Sequence, residues 1–253
     1  NGAAASGDAG TITVSTSLAN INTRSSGRRL TLFAAEDINV NQTISSSGGP
    51  LTIRLKAQGN VSIANNADIT TKGGDFTVSG ANDDGDADTE MTTADTAGSF
   101  LLDTGSEINT TGGTGAAGGA VTIKTSVRSD ASLAAATDGD IEIKGNITTS
   151  GGTASAAGQA GGAVTLNAGL DSAGNTAGTI TIFTGADITT TGSAAASSSD
   201  GNGGAGGAVT FDTNGETIVL TDTTVNSTGG AKDGSGTAGA GGTITFSDNV
   251  SLL

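Results

Sequence analysis

Apolar and small polar residues alternate along this chain in short runs that glycines separate. In Ala120-Val-Thr-Ile123, Val121 and Ile123 fall on one side of an extended strand and Thr122 on the other, because successive side chains point to opposite faces. The same alternation sends Val164 and Leu166, Ile180 and Ile182, Val209 and Phe211, and Ile244 and Phe246 inward. Thr165, Thr181, Thr210 and Thr245 point outward. A strand offering two or three core residues is not stable alone and needs like neighbours above and below. No apolar stripe of period 3.6 appears, and β-branched residues and glycine are too frequent for helices.

These runs belong to repeats. Gly-Gly-Ala-Val-Thr stands at 118–122, 161–165 and 206–210, with Gly-Gly-Thr-Ile-Thr at 241–245. A second phrase, a branched apolar residue before hydroxyl residues and glycine, recurs at 68–74, 107–113, 146–152, 187–192 and 224–230. Its apolar residue falls at Ile21, Ile44, Ile69, Ile108, Ile147, Ile188 and Val225, at intervals of 23, 25, 39, 39, 41 and 37 residues. The first two intervals match one coil of a parallel β-helix, and the later ones leave room for a coil plus a loop, or for two coils. Apolar-poor inserts at 81–97, 112–119, 151–162, 193–207 and 229–242 supply the extra length, and we expect them at one corner of each coil. Three strands per coil, as at 164–166, 179–183 and 187–190, keep the register.

Gly-Gly before a strand suits a corner that needs positive φ or a tight bend. Asn214-Gly215 and Asp138-Gly139 come nearest to two-residue hairpin turns, but they are isolated, which disfavours an antiparallel architecture. The expected fold is all-β: a right-handed parallel β-helix, or β-solenoid, with Gly-, Ser- and Thr-rich corner insertions. It forms a single array over 1–253, and the hand follows from the preference for right-handed crossovers. The repeats begin almost at once, and neither 1–10 nor 250–253 has the look of a polar cap, so we expect a processed chain or a segment of something longer.

Composition narrows the chemistry. Aromatic residues make up 2% of the chain, with six Phe and no Trp or Tyr, so the core must be thin and aliphatic. Cysteine is absent, which removes disulfides, thiolate metal sites and thiol nucleophiles. A formal charge of −15 argues against nucleic acid and anionic lipid, which require clustered Lys and Arg. No run approaches the ~18 apolar residues of a membrane span, so no membrane insertion is expected.

The grammar Gly-Gly-Ala-Val-Thr-Leu-Asn-Ala-Gly at 161–169, followed by Gly-Thr-Ile-Thr-Ile at 178–182 and Ala-Asp-Ile-Thr-Thr-Thr-Gly at 186–192, resembles the repeat region of filamentous haemagglutinin-type exoproteins. Residues 30–40 look like another copy of the phrase, and the resemblance covers nearly the whole chain. It implies a large β-helical adhesin that bacteria export by two-partner secretion, hence a rod at the cell surface.

Several residue groups invite a chemical reading. Asp83, Asp84, Asp86, Asp88 and Glu90 offer oxygen ligands of the kind Ca²⁺ takes, though an ordinary solvated loop explains them as well and the spacing of known calcium loops is incomplete. Outward files of Thr70, Asn109, Thr148, Thr189 and Asn226, and of Lys72, Thr111, Ser150, Thr191 and Thr228, resemble ice-binding faces. Strand propensity and rung-to-rung stacking account for most of that pattern. Six sequons begin at Asn41, Asn60, Asn109, Asn146, Asn226 and Asn249, several of them by-products of the repeat. Asp138 with Asp140 or Glu142 is the best available carboxylate pair for glycoside chemistry. Without His, Cys, Tyr or Trp the chain lacks the usual proton shuttle and sugar platforms, and Asp140, Glu142 and Lys144 alternate outward as a solvated strand would.

The sequence therefore points to a non-enzymatic extracellular structural protein with no catalytic, cofactor or metal residues assigned. It would be a rod of a bacterial surface adhesin or filament. Its expected partners are a host or cell-surface ligand, met through the corner loops around 83–90 or 193–207, or further copies of itself stacked end to end.

Overall fold

The computed structural model describes residues 10–21, 24–80, 97–125, 127–128, 137–169, 177–197 and 199–253. Within them the chain winds as a parallel β-helix with three faces. Seven strands form the first face: Arg28–Ala34, Leu51–Ala57, Phe76–Ser79, Val121–Thr125, Val164–Ala168, Val209–Asp212 and Ile244–Phe246. Eight form the second: Ile12–Val14, Ile38–Val40, Val61–Ile63, Phe100–Leu102, Ile141–Ile143, Ile180–Ile182, Thr217–Leu220 and Asn249–Leu252. Six short strands form the third: Ile44–Ser45, Ile69–Thr70, Glu107–Asn109, Asn146–Thr148, Ile188–Thr189 and Val225–Asn226. Each coil contributes one strand to each face in that order. Intervals of 37 to 41 residues are thus one coil with loops, not two coils.

Register places like on like. On the second face Phe100, Ile141, Ile180 and Ile218 stack as one inward file, and Leu102, Ile143, Ile182 and Leu220 as the next. On the third face Ile69, Ile108, Ile147 and Ile188 stack, all fully buried. Burying each such side chain contributes about 1.5–3 kcal/mol, so an aliphatic spine supplies what aromatic residues usually would. Val164, Leu166, Ile180, Ile182, Val209 and Phe211 are buried as alternation requires. Ile244 and Phe246 continue the inward files but are each 38% exposed, because among the described residues no coil follows theirs.

The corners depart from expectation in three ways. Inserts occur at two corners: 112–119, 151–162, 193–207 and 229–242 lie between the third face and the first, whereas 81–97 lies between the first and the second. Glycines at positive φ are spread over all three corners: Gly105 (φ 73°) and Gly185 (φ 78°) between the second face and the third, Gly139 (φ 76°) and Gly215 (φ 108°) between the first and the second, and Gly73 (φ 89°) between the third and the first. Gly73 belongs to the pair before Phe76–Ser79, but the Gly-Gly pairs at 118–119, 161–162, 206–207 and 241–242 have no left-handed φ. They are required for close approach: a Cβ on Gly207 would lie 2.0 Å from the Gly162 carbonyl oxygen, and one on Gly162 would lie 2.0 Å from that of Gly119. A short antiparallel pair, Val127–Arg128 with Thr137–Asp138, also interrupts the parallel winding, but Asp138-Gly139 stands at the exit of its second strand and is not the turn between the two.

Candidate functional site

The alternation that points Ile69 inward also turns Thr71 inward, two residues on. Thr71, Thr110, Thr149 and Thr190 are fully buried, and Ser46 and Ser227 occupy the same place in their coils. Each hydroxyl donates to the carbonyl of the glycine that re-enters the first face. Ser46 Oγ reaches Gly49 O at 2.5 Å, Thr71 Oγ1 reaches Gly74 O at 2.5 Å, and Thr110 Oγ1 reaches Gly119 O at 2.6 Å. Thr149 Oγ1 meets Gly162 O at 2.6 Å, Thr190 Oγ1 meets Gly207 O at 2.7 Å, and Ser227 Oγ meets Gly242 O at 2.9 Å. The bond satisfies a buried hydroxyl and a buried carbonyl together, which spares the cost of leaving either unpaired. This ladder was legible in the Ile-Thr-Thr phrase by alternation, but attention to the outward Thr files hides it.

Beyond these clamps the inserts stack into a lateral slab. Gly203 N–H donates to Thr237 O in the next coil at 2.8 Å, and Gly204 N–H donates to Ser193 O across its own insert at 2.9 Å. Three residues on the pattern repeats: Gly206 N–H reaches Ala240 O at 2.8 Å and Gly207 N–H reaches Thr190 O at 2.6 Å. A three-residue period is that of polyproline II, whose backbone groups all point away from the leg and can bond to its neighbours. Adjacent legs pack backbone against backbone, which explains the run of glycines. At the outer end, Asp233 Oδ2 accepts from Ser199 N–H at 2.7 Å and Asp200 Oδ1 from Ser235 N–H at 2.8 Å.

Described acidic side chains act as rungs between coils. Asp37 Oδ1 accepts from Asn60 N–H at 2.7 Å, Asp68 Oδ1 from Glu107 N–H at 3.0 Å, and Asp75 Oδ1 from Ala120 N–H at 2.8 Å. Asp187 Oδ1 accepts from Thr224 N–H at 2.9 Å. Asp140 does likewise, taking the Thr179 N–H at 2.7 Å and the Thr179 hydroxyl at 3.0 Å. Glu142 pairs with Lys144 at 2.7 Å, and that ammonium also lies 4.9 Å from the Phe183 ring centre. The side chain of Asp138 lies outside the described residues, so the proposed carboxylate pair has no geometry to weigh.

Asp248 is held by several donors at once. Desolvation pushes its carboxyl upward, but the N–H groups of Thr213, Asn214 and Gly215 and the Thr213 hydroxyl together outweigh that and hold it below the usual carboxylate range.

Asp83, Asp84, Asp86, Asp88 and Glu90 lie outside the described residues, and among those described no cluster of three or more acidic residues could hold a metal ion. On the third face the Thr148 hydroxyl donates to Glu107 at 2.7 Å, and Asn109 and Asn226 turn their side-chain oxygens to the N–H groups of Thr111 and Thr228. Lys72 leaves the outward file altogether: at φ 54° it turns with Gly73, and its ammonium donates to the Ser47 carbonyl. Of the sequons, Asn60 and Asn146 use their side-chain oxygens to receive the N–H groups of Ser99 and Asp187 in the next coil. Among the described residues no helix is long and apolar enough to cross a membrane.

No protein family, curated protein or solved structure matches this chain.

Proposed function

We propose that the protein is a non-enzymatic, extracellular structural element: a β-solenoid rod of a bacterial surface adhesin or filament, of the filamentous haemagglutinin type its repeats resemble. The observation that carries this reading is the use made of polar side chains. Carboxylates and hydroxyls that could do chemistry are bonded instead to the backbone of adjoining coils, as Asp68, Asp140 and Asp187 are. A stack of this kind lengthens by about 4.8 Å per coil, so the eight strands of the second face span roughly 34 Å. Such a rod holds its corners at a set spacing from whatever anchors it, which suits presentation of loops to a ligand.

Antibody raised against the purified chain should label intact cells of the source organism. Labelling only after permeabilisation would end the extracellular reading.

Self-assembly into a fibre is the second reading. Ile244, Phe246, Val250 and Leu252 are exposed along the edge of the coil at 244–252, the surface a further coil would cover. Small-angle X-ray scattering over a concentration series separates the two. A longest dimension that grows with concentration supports the fibre, and one that stays constant supports the rod.

A further inference from the structure

One corner is closed by the same bond over very different lengths of chain. The hydroxyl and its glycine carbonyl are three residues apart at Ser46 and Gly49 and at Thr71 and Gly74. They are 9 apart at Thr110 and Gly119, 13 at Thr149 and Gly162, 17 at Thr190 and Gly207, and 15 at Ser227 and Gly242. Between Thr71 and Gly74, Lys72 and Gly73 make the whole connection, both at positive φ, whereas Ser47 and Gly48 make it between Ser46 and Gly49 without a positive φ. A second bond, from the glycine N–H back to the carbonyl of the clamping residue, doubles the closure in short and long versions alike: Gly74 to Thr71 at 3.3 Å, Gly119 to Thr110 at 2.9 Å, Gly162 to Thr149 at 2.6 Å, Gly207 to Thr190 at 2.6 Å and Gly242 to Ser227 at 2.7 Å. First-face strands leave these corners in one unbroken register whatever the insert's length, with Phe76, Val121, Val164, Val209 and Ile244 on one file.

We infer that the hydroxyl–glycine clamp is a device that isolates the insert from the coil, making this corner an insertion point whose slab folds on the stack without being needed to hold it. The clamp fixes both ends of the insert at hydrogen-bonding distance, so the closure entropy of a long loop falls on the insert and not on the strand register. Each slab layer in turn finds its bonds in the layer beside it. Growth of an insert then changes the slab's reach and leaves the core files unchanged.

The test uses the outermost layer, which has a slab neighbour on one side only among the described residues. In the full chain, residues 228–241 are replaced by the dipeptide of residues 72–73, which recreates the short corner behind Ser227. Separately, Thr190→Val removes a clamp and keeps the insert. The short-corner variant should keep its melting temperature to within about 3 °C of the parent and retain hydrogen-exchange protection across 209–226. Thr190→Val should melt roughly 3–10 °C lower, since a buried carbonyl is left unpaired at about 1–3 kcal/mol and each kcal/mol moves a chain of this size by about 2–4 °C. The Gly203 and Gly206 amides should lose protection before those of Val209 and Phe211 do. Loss of cooperative melting in the short-corner variant would overturn the inference, because the slab would then be part of the core. So would Thr190→Val that melts like the parent, or that loses slab and core protection together.

Discussion

The ring of Phe211 lies flat against that of Phe246 in the next coil, centroids 4.9 Å apart and planes 6° from parallel. Phe211 is fully buried and Phe246 is 38% exposed, so the pair compares one contact seen from a closed and an open side. Phe211→Ala should cost about 3–5 kcal/mol, a buried aromatic lost with little room to collapse. Phe246→Ala should cost less, on the order of 1–2 kcal/mol, in guanidinium unfolding followed by circular dichroism. Equal losses would contradict the coil order.

Glycine should be indispensable in one place and replaceable in another a few residues away in type. Gly207→Ala drives a Cβ to 2.0 Å from the Gly162 carbonyl oxygen and should destabilise by about 1–3 kcal/mol or more. Gly113→Ala meets nothing within 4 Å and needs no left-handed φ, so it should be neutral or stabilise by up to about 1 kcal/mol. Thermal melts of the two variants side by side check the contrast.

Asp140, just before the strand Ile141–Ile143, and Glu142 within it should respond differently to loss of charge. Asp140→Ala removes an acceptor for two Thr179 donors and should cost about 1–2 kcal/mol, while Asp140→Asn keeps the amide oxygen and should recover most of it. Glu142→Gln breaks an ion pair exposed to water and should cost under about 1 kcal/mol. Urea melts decide. If Asp140→Asn were as damaging as Asp140→Ala, the carboxylate's charge and not its bonds would matter.

Stability should fall at acid pH partly through Asp248. Its carboxyl titrates below the unfolded value of 3.8 in the native protein, so its contribution is present in full above that value and disappears as pH falls through the native one. Asp248→Ala should therefore melt below the parent at pH 7, and the gap should close below the native value. A gap that persists there would mean that the side chain acts by packing.

Alternation made the three-faced stack legible: Val121 with Ile123 and Thr122 opposite is a strand wherever it occurs, and the repeated phrases fix its neighbours. The corners were harder to read. Gly-Gly looks the same in sequence whether it serves a positive φ or a close approach, and only the position of the Gly162 carbonyl beneath Gly207 tells them apart. Insert placement was lost for a related reason, since apolar-poor length carries no mark of the corner to which it belongs. Asp140 illustrates the difficulty at the candidate site. Its type suits catalysis, rungs and solvated surface alike, and its partner, Thr179, is 39 residues away.

Cysteine cross-linking tests the coil register most directly, because the chain has no cysteine of its own. Thr165 and Thr210 are register partners on the outer side of the first face, while Thr122 and Thr210 stand two coils apart. Parallel neighbours lie about 4.8 Å apart, within the 4.4–6.8 Å that a disulfide spans between Cα atoms, and second neighbours lie about twice as far. Mild oxidation of Thr165→Cys/Thr210→Cys should close an intramolecular disulfide, and Thr122→Cys/Thr210→Cys should remain reduced. The reverse pattern would contradict the stack.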